Sequence, residues 1–235
     1  MKQFFKKLGY WFLNQLKEYG GRVALFTIFF VMFTLIISSI VADFIADRHK
    51  EQYHKYTNYE VYIETNQLRY DSLLLTLADA VDEYILKASN GASSLSGLVV
   101  AKQCLDYDID ICFVLAQGEQ ESHFGTQGIA RKTNSVFNVF AFDGHEYNQI
   151  NRNGKYAHPN DCVEPYIKLL KRDYLVNGKT EYDLLHKYVN KNGDRYASST
   201  TYEQSLSDNM ARIKSTTEID AIYQLIKKQR LILGM

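Results

Sequence analysis

From Val23 to Ala42 the chain reads VALFTIFFVMFTLIISSIVA, without a single charge. A run of about 20 apolar residues makes a helix long enough to cross about 30 Å of hydrocarbon. It divides the folding problem in two: one part of the chain has lipid as its solvent, and the rest must fold in water. A buried core helix and a cleavable signal peptide are the alternatives. The apolar stretch of a signal peptide is shorter, about 7 to 15 residues, and Ile40 is not the small residue favoured two places before a cleavage at Ala42. A retained transmembrane helix over 23–42 is therefore expected. Lys2, Lys6, Lys7, Lys17 and Arg22 precede the run against Glu18 alone, whereas Asp43, Asp47, Arg48, Lys50 and Glu51 follow it in mixed sign. This positive-inside bias predicts a cytoplasmic N-terminus and places everything after residue 43 beyond the membrane. Phe4, Phe5, Leu8, Trp11, Phe12 and Leu16 recur among the lysines of residues 1–22. They suit a helix lying in the inner interface or a simple flanking segment.

The exported part reads as a stem over 43–70 followed by one domain over 71–235. In the stem, Tyr53, Tyr56, Tyr59 and Tyr62 stand three apart, a stripe expected to pack rather than to bind carbohydrate. Leu73, Leu74, Leu77, Ala80, Val81 and Ile85 follow helical period, and NGASSLSG at 90–97 interrupts it. A second helix is expected from about Leu98 to Leu105. Ile109 to Ala116 is almost continuously apolar, so a helix there is buried on all sides until the polar QGEQESHFG that ends it. Residues 126–160 read as loops with a small hairpin. Further helices are expected at about 164–176 behind Pro165, from Thr180, from Thr201, and after Ser215-x-x-Glu218 to about Leu231. The fold class is mainly α.

Lys+Arg and Asp+Glu number 27 each, so no global basic field exists to hold nucleic acid. Cys104, Cys112 and Cys162 lack C-x-x-C spacing, and no histidine pair stands at ligand spacing beside them. No metal and no organic cofactor is expected. The three cysteines are either one disulfide with a free thiol or three small buried hydrophobes. His123, His145 and His158 are expected to be solvated or hydrogen-bonded loop residues.

The polar end of the buried helix carries the chemistry. A carboxylic acid kept among apolar side chains holds its proton near neutral pH and can serve as a general acid. Glu119 and Glu121 both stand there, but residues two apart on a helix point to different sides. Only one of them can face a cleft built on that helix.

AQGEQESHFG at 116–125, followed by TNSVFNVFAF at 133–142, resembles glycoside hydrolase family 73, the glucosaminidases and muramidases that cut bacterial peptidoglycan. The family's first motif, A-Q-x-x-x-E-S-x-W-G, puts its catalytic acid on Glu121. Ala116, Gln117, Ser122 and Gly125 match it, Phe124 replaces the Trp, and Glu119 falls on an open position. The second motif, S/N-N-L/N-F-G-I, falls on Asn134, Ser135, Val136, Phe137 and Val139, with Asn138 where the family has Gly. RYASSTTYEQSL at 195–206 resembles the family's Y-A-T-D-x-x-Y-A stretch and brings Tyr196 to the cleft with Tyr202 beside it. The three motifs cover about 100–215.

The resemblance implies a lysozyme-like helical domain with a small loop or β-hairpin lobe, acting as a monomer on peptidoglycan glycan strands. It implies a bacterial inner-membrane location, with the catalytic domain periplasmic or extracellular. It assigns Glu121 as acid, Tyr196 to the sugar N-acetyl group or the attacking water, and a second carboxylate to the region after the second motif. Asp143 and Glu146 are the candidates there, Asp161 and Glu164 being better placed to start a helix. Gln117, Ser122, Phe124, Asn134, Phe137, Asn138 and Tyr202 are expected around the substrate. A lytic transglycosylase on the same fold, lacking here its usual G-L-M-Q, and a catalytically inactive wall-binding scaffold remain open.

Overall fold

The computed structural model describes residues 2–19, 21–140, 150, 154–185 and 201–235. The chain divides into two compact units, Met1–Ile63 and Glu64–Met235.

The first unit holds α1 (Lys2–Tyr19) and the leading part of α2 (Gly21–Ala88). Phe26, Phe29, Phe30 and Phe33 are 79%, 77%, 64% and 54% exposed. Large apolar side chains without protein cover suit a segment whose solvent is lipid. By length and composition the helix is compatible with a single-pass membrane anchor or a signal sequence. Tyr53, Tyr56, Tyr59 and Tyr62, expected to pack, are instead all exposed. The reason is geometric: a three-residue step turns about 300° around a helix, so such a stripe drifts about 60° per step and never forms one face. Residues 43–70, expected as a stem, are helical and belong to α2.

The second unit is built around α4 (Ile111–Ser122). Residues 64–88 of α2 contribute Tyr70, Leu74, Leu77, Ala78, Val81 and Ile85, buried at the i, i+3, i+4 spacing of an amphipathic helix. The chain reverses through Asn90 and Gly91, at φ +51 and +76, and enters α3 (Gly97–Asp106). Gly97 N donates to Asp82 Oδ1 at 2.5 Å. A Cβ at Gly97 would stand 2.7 Å from Asp82 N and nearer still to Ala78 O, so glycine is what lets α3 start against the α2 backbone.

In α4, Ile111 to Gly118 are all buried. Asp110 caps its start, accepting from Cys112 N at 2.8 Å, and pairs with Lys214 at 2.7 Å. Beyond it come α5 (Ala130–Thr133), a 3₁₀ turn Pro159–Cys162, α6 (Val163–Leu169), a π-turn Leu170–Tyr174, and α7 (Glu181–Leu184). The last two helices are α8 (Tyr202–Thr216) and α9 (Ile219–Leu233). α4 packs against α8, α3 and α9, and α3 packs against α6. Tyr223 of α9 donates its hydroxyl to Cys104 O and Ile109 O at 3.0 and 2.8 Å, tying α9 to both ends of the α3–α4 connection.

The fold is mainly α, and no strand occurs among the described residues. The sequence from 126 to 160 forms turns and α5 where it is described, while 141–149 and 151–153 of the expected loop or hairpin lobe lie outside the described residues. One cap differs from expectation. Ser215 donates to Arg212 O within α8 and Glu218 alone precedes α9, so Ser215-x-x-Glu218 spans the end of one helix and the start of the next.

The close approach at Gly97 predicts that Gly97→Ala destabilises the protein by about 1 to 3 kcal/mol through overpacking. Thermal unfolding of the full chain in detergent, followed by circular dichroism, reads this as a lowered midpoint. An unchanged midpoint would show that α2 yields at no cost.

Candidate active site

α4 is covered along its length, and its two carboxyls stand only on its last turn. Glu121 is half-buried there, and both of its carboxyl oxygens are engaged. Tyr202, the first residue of α8, donates its hydroxyl to Oε1. Asn138 Nδ2 donates to Oε2 at 3.1 Å and to the Glu121 backbone carbonyl at 3.0 Å. Behind Tyr202, buried Gln117 donates Nε2 to its hydroxyl at 2.9 Å, and Tyr166 of α6 donates to Gln117 Oε1. Phe137 stacks on Tyr166 with ring centres 3.9 Å apart and planes 9° from parallel. Two side chains thus hold the carboxyl, and Gln117, Tyr166 and Phe137 stand behind them.

Glu119, two residues earlier, faces elsewhere. Both of its oxygens accept from Arg212 Nη2 at 2.7 Å, and Tyr84 donates to it as well. Burial first and the Glu119 contact second hold the Tyr84 phenol well above its ordinary range, so it stays a donor. This ion pair joins α2, α4 and α8 at the edge of a cavity of about 510 Å³ whose lining includes Glu83, Lys87 and Glu218. Glu119 is committed to an ion pair between helices.

Ser122, Asn134 and Phe124 are engaged within the protein. Ser122, 2% exposed, donates Oγ to Val136 O at 2.6 Å and accepts from Gly125 N at 2.7 Å, binding the first motif to the second. Asn134, at φ +56, donates to Tyr156 O at 2.9 Å. Phe124 is 1% exposed and meets Tyr84 edge-on at 5.9 Å, so it is core rather than cleft surface. A Cβ at Gly118 would touch the rings of both Phe124 and Phe137, at 3.0 and 3.3 Å. Of the expected contacts, then, Gln117, Asn138 and Tyr202 gather at Glu121, with Phe137 behind them. Tyr166 and Arg212 were missed, since neither stands in a motif.

Asp143, Glu146, His145 and Tyr196 lie outside the described residues. Asp161 accepts from His158 N at 3.0 Å to start the 3₁₀ turn, and Glu164 pairs with Lys168 at 2.8 Å, so both serve helix starts as expected. His158 Nδ1 accepts from Asn160 N, and His123 is an exposed left-handed residue at φ +48 that ends α4.

Asp110, Cys112 and Asp220 approach one another closely enough to suggest ligation. Asp110 is already spent on the α4 cap and Lys214, and burial pushes the Cys112 thiol up to about 12. The three cysteines are free and buried, the second of the alternatives above. Burial likewise pushes Cys162 up to about 12 and Cys104 well above the usual thiol range.

A thiol pKa raised by folding favours the folded state in full below the unfolded value and loses that contribution as pH climbs through the folded one. At pH 8 a thiol titrating at about 12 is about one part in ten thousand thiolate. Native protein should therefore resist a thiol reagent at pH 8 while urea-unfolded protein reacts at all three cysteines. The unfolding midpoint should also fall between about pH 9 and 12. Equal labelling rates in the two states would contradict the burial.

Residues 99–215 match the family model Glucosaminidase, described as mannosyl-glycoprotein endo-beta-N-acetylglucosaminidase. The match runs from α3 into α8 and contains every residue gathered at Glu121. Neither a curated protein nor a solved structure matches the chain. The class is that of glycan hydrolases of the endo-β-N-acetylglucosaminidase type. Residues 99–215 thus form a domain of the glucosaminidase family, glycoside hydrolase family 73.

Proposed function

We propose that this protein is a peptidoglycan glycan-strand hydrolase, an endo-β-N-acetylglucosaminidase that cleaves a β-1,4 bond with Glu121 as general acid. The observation that carries the reading is the convergence of Tyr202 and Asn138 on the two oxygens of a half-buried carboxyl, in register with the family's catalytic motif. By contrast, the neighbouring Glu119 is bound up in an ion pair.

In this reading Glu121 gives its proton to the glycosidic oxygen as the bond to the anomeric carbon breaks, and the ring acquires oxocarbenium character. Tyr202 and Asn138 hold the carboxyl in place and stabilise the carboxylate left behind. Asp143 or Glu146 acts as second carboxylate, unless the substrate's own N-acetyl carbonyl attacks instead. Tyr196 contacts the N-acetyl group or the attacking water. Residues 1–22 form the cytoplasmic segment, 23–42 the membrane anchor, 43–70 the stem and 71–235 a monomeric catalytic domain. The balance of charges flanking 23–42 supports a cytoplasmic N-terminus and a catalytic domain facing the periplasm or the outside of a bacterial cell.

Zymography on purified peptidoglycan tests this. Glu121→Gln should lose at least about a hundredfold of hydrolysis, the lower bound for a positioned general acid, while Glu119→Gln remains active. Lysis that survives Glu121→Gln sinks the catalytic assignment. Mass spectrometry of the products separates a hydrolase, which leaves a reducing end, from a lytic transglycosylase, which leaves an anhydro sugar.

A further inference from the structure

The second motif has Asn138 where the family it resembles has glycine, and the structure shows what the extra amide does. Asn138 sits at φ +53, a left-handed conformation that asparagine accepts and glycine takes freely. Its Nδ2 divides two hydrogens between the Glu121 backbone carbonyl, at 3.0 Å, and the Glu121 carboxyl Oε2, at 3.1 Å.

The orientation of that amide is not free. A backbone carbonyl can only accept, so the nitrogen must face it. The same nitrogen then faces Oε2 whether Glu121 is protonated or not. Asn138 Oδ1, meanwhile, is buried and has no hydrogen-bond partner among the described residues. An unpaired buried acceptor destabilises a fold, which offsets part of what the two donated hydrogen bonds contribute.

We propose that Asn138 is a positioning residue for Glu121. Its carbonyl-anchored amide fixes the plane of the carboxyl and presents a donor to the oxygen on which negative charge develops when the proton leaves. A hydrogen bond to a carboxylate is stronger than one to a carboxylic acid. The contact therefore strengthens along the reaction and favours the transition state over the bound substrate. This role rests on the assignment of Glu121 as the acid.

The test is steady-state hydrolysis of soluble glycan oligomers from peptidoglycan by the full chain in detergent, beside thermal unfolding. Asn138→Gly keeps the turn, removes the donor and removes the orphaned oxygen. The expected result is a fall of about tenfold in kcat, with KM unchanged within about twofold, at a temperature where the unfolding scan shows the variant still folded. Asn138→Asp keeps size and turn but turns acceptors toward both Glu121 oxygens, and kcat should fall at least as far. A purely structural asparagine would give the reverse, a lowered midpoint with kcat intact. If kcat in Asn138→Gly stays within about twofold of the parent, or the loss lies wholly in KM, the role is overturned while Glu121 stands. Activity that persists in Glu121→Gln removes the acid itself, whatever the Asn138 variants do.

Discussion

With Ile111 to Gly118 covered on every side, α4 has no water along its flanks to satisfy a polar group. The groups its backbone leaves open must find protein partners at the two ends. At the start, Asp110 takes the exposed amides and Lys214 takes Asp110. At the far end, His123 N and Phe124 N each return to an α4 carbonyl, at Glu119 O and Gly118 O, both at 2.9 Å. The carboxyls are thereby confined to one turn, and a single turn has room for two of them only if they diverge. One of them, Glu119, is neutralised by Arg212 across the helix packing. The other, Glu121, is met by neutral donors alone among the described residues.

The parts of this arrangement that were legible in the sequence are those that periodicity controls. The unbroken apolar run of 109–116 announced a helix with no wet face, and the motif register separated Glu121 from Glu119 before any contact was known. Periodicity also misled once. The tyrosines of 53–62 look like a stripe in print, but a three-residue step drifts around the helix. The capping pattern at Ser215 failed for a similar reason, since a four-residue signature carries no information about which helix owns its first member.

What stayed hidden depends on chain segments that meet only after folding. Gln117 reaches Tyr166 and Tyr202 across 49 and 85 residues of sequence, and Glu119 reaches Arg212 across 93. No local signal marks Tyr166 as anything but one more aromatic in a helix. Ser122, Phe124 and Asn134 were legible as motif members but not by role. A motif records which residue types travel together, not which of them touch solvent, and here these three hold the frame that the others use.

That frame has a fixed length. Ser122 Oγ clasps Val136 O across an interval of 14 residues, and the interval opens with His123, Phe124 and Gly125 at φ +48, +56 and +86 in succession. Two of those residues are not glycine, so the backbone there is held against its own preference by what it connects. A residue inserted within the turn at 123–125 would displace the Gly125 amide from Ser122, whose other bond fixes the Val136 carbonyl two residues before Asn138. The two motifs are therefore mechanically one piece: what moves the turn after α4 also moves the donor that meets the carboxyl.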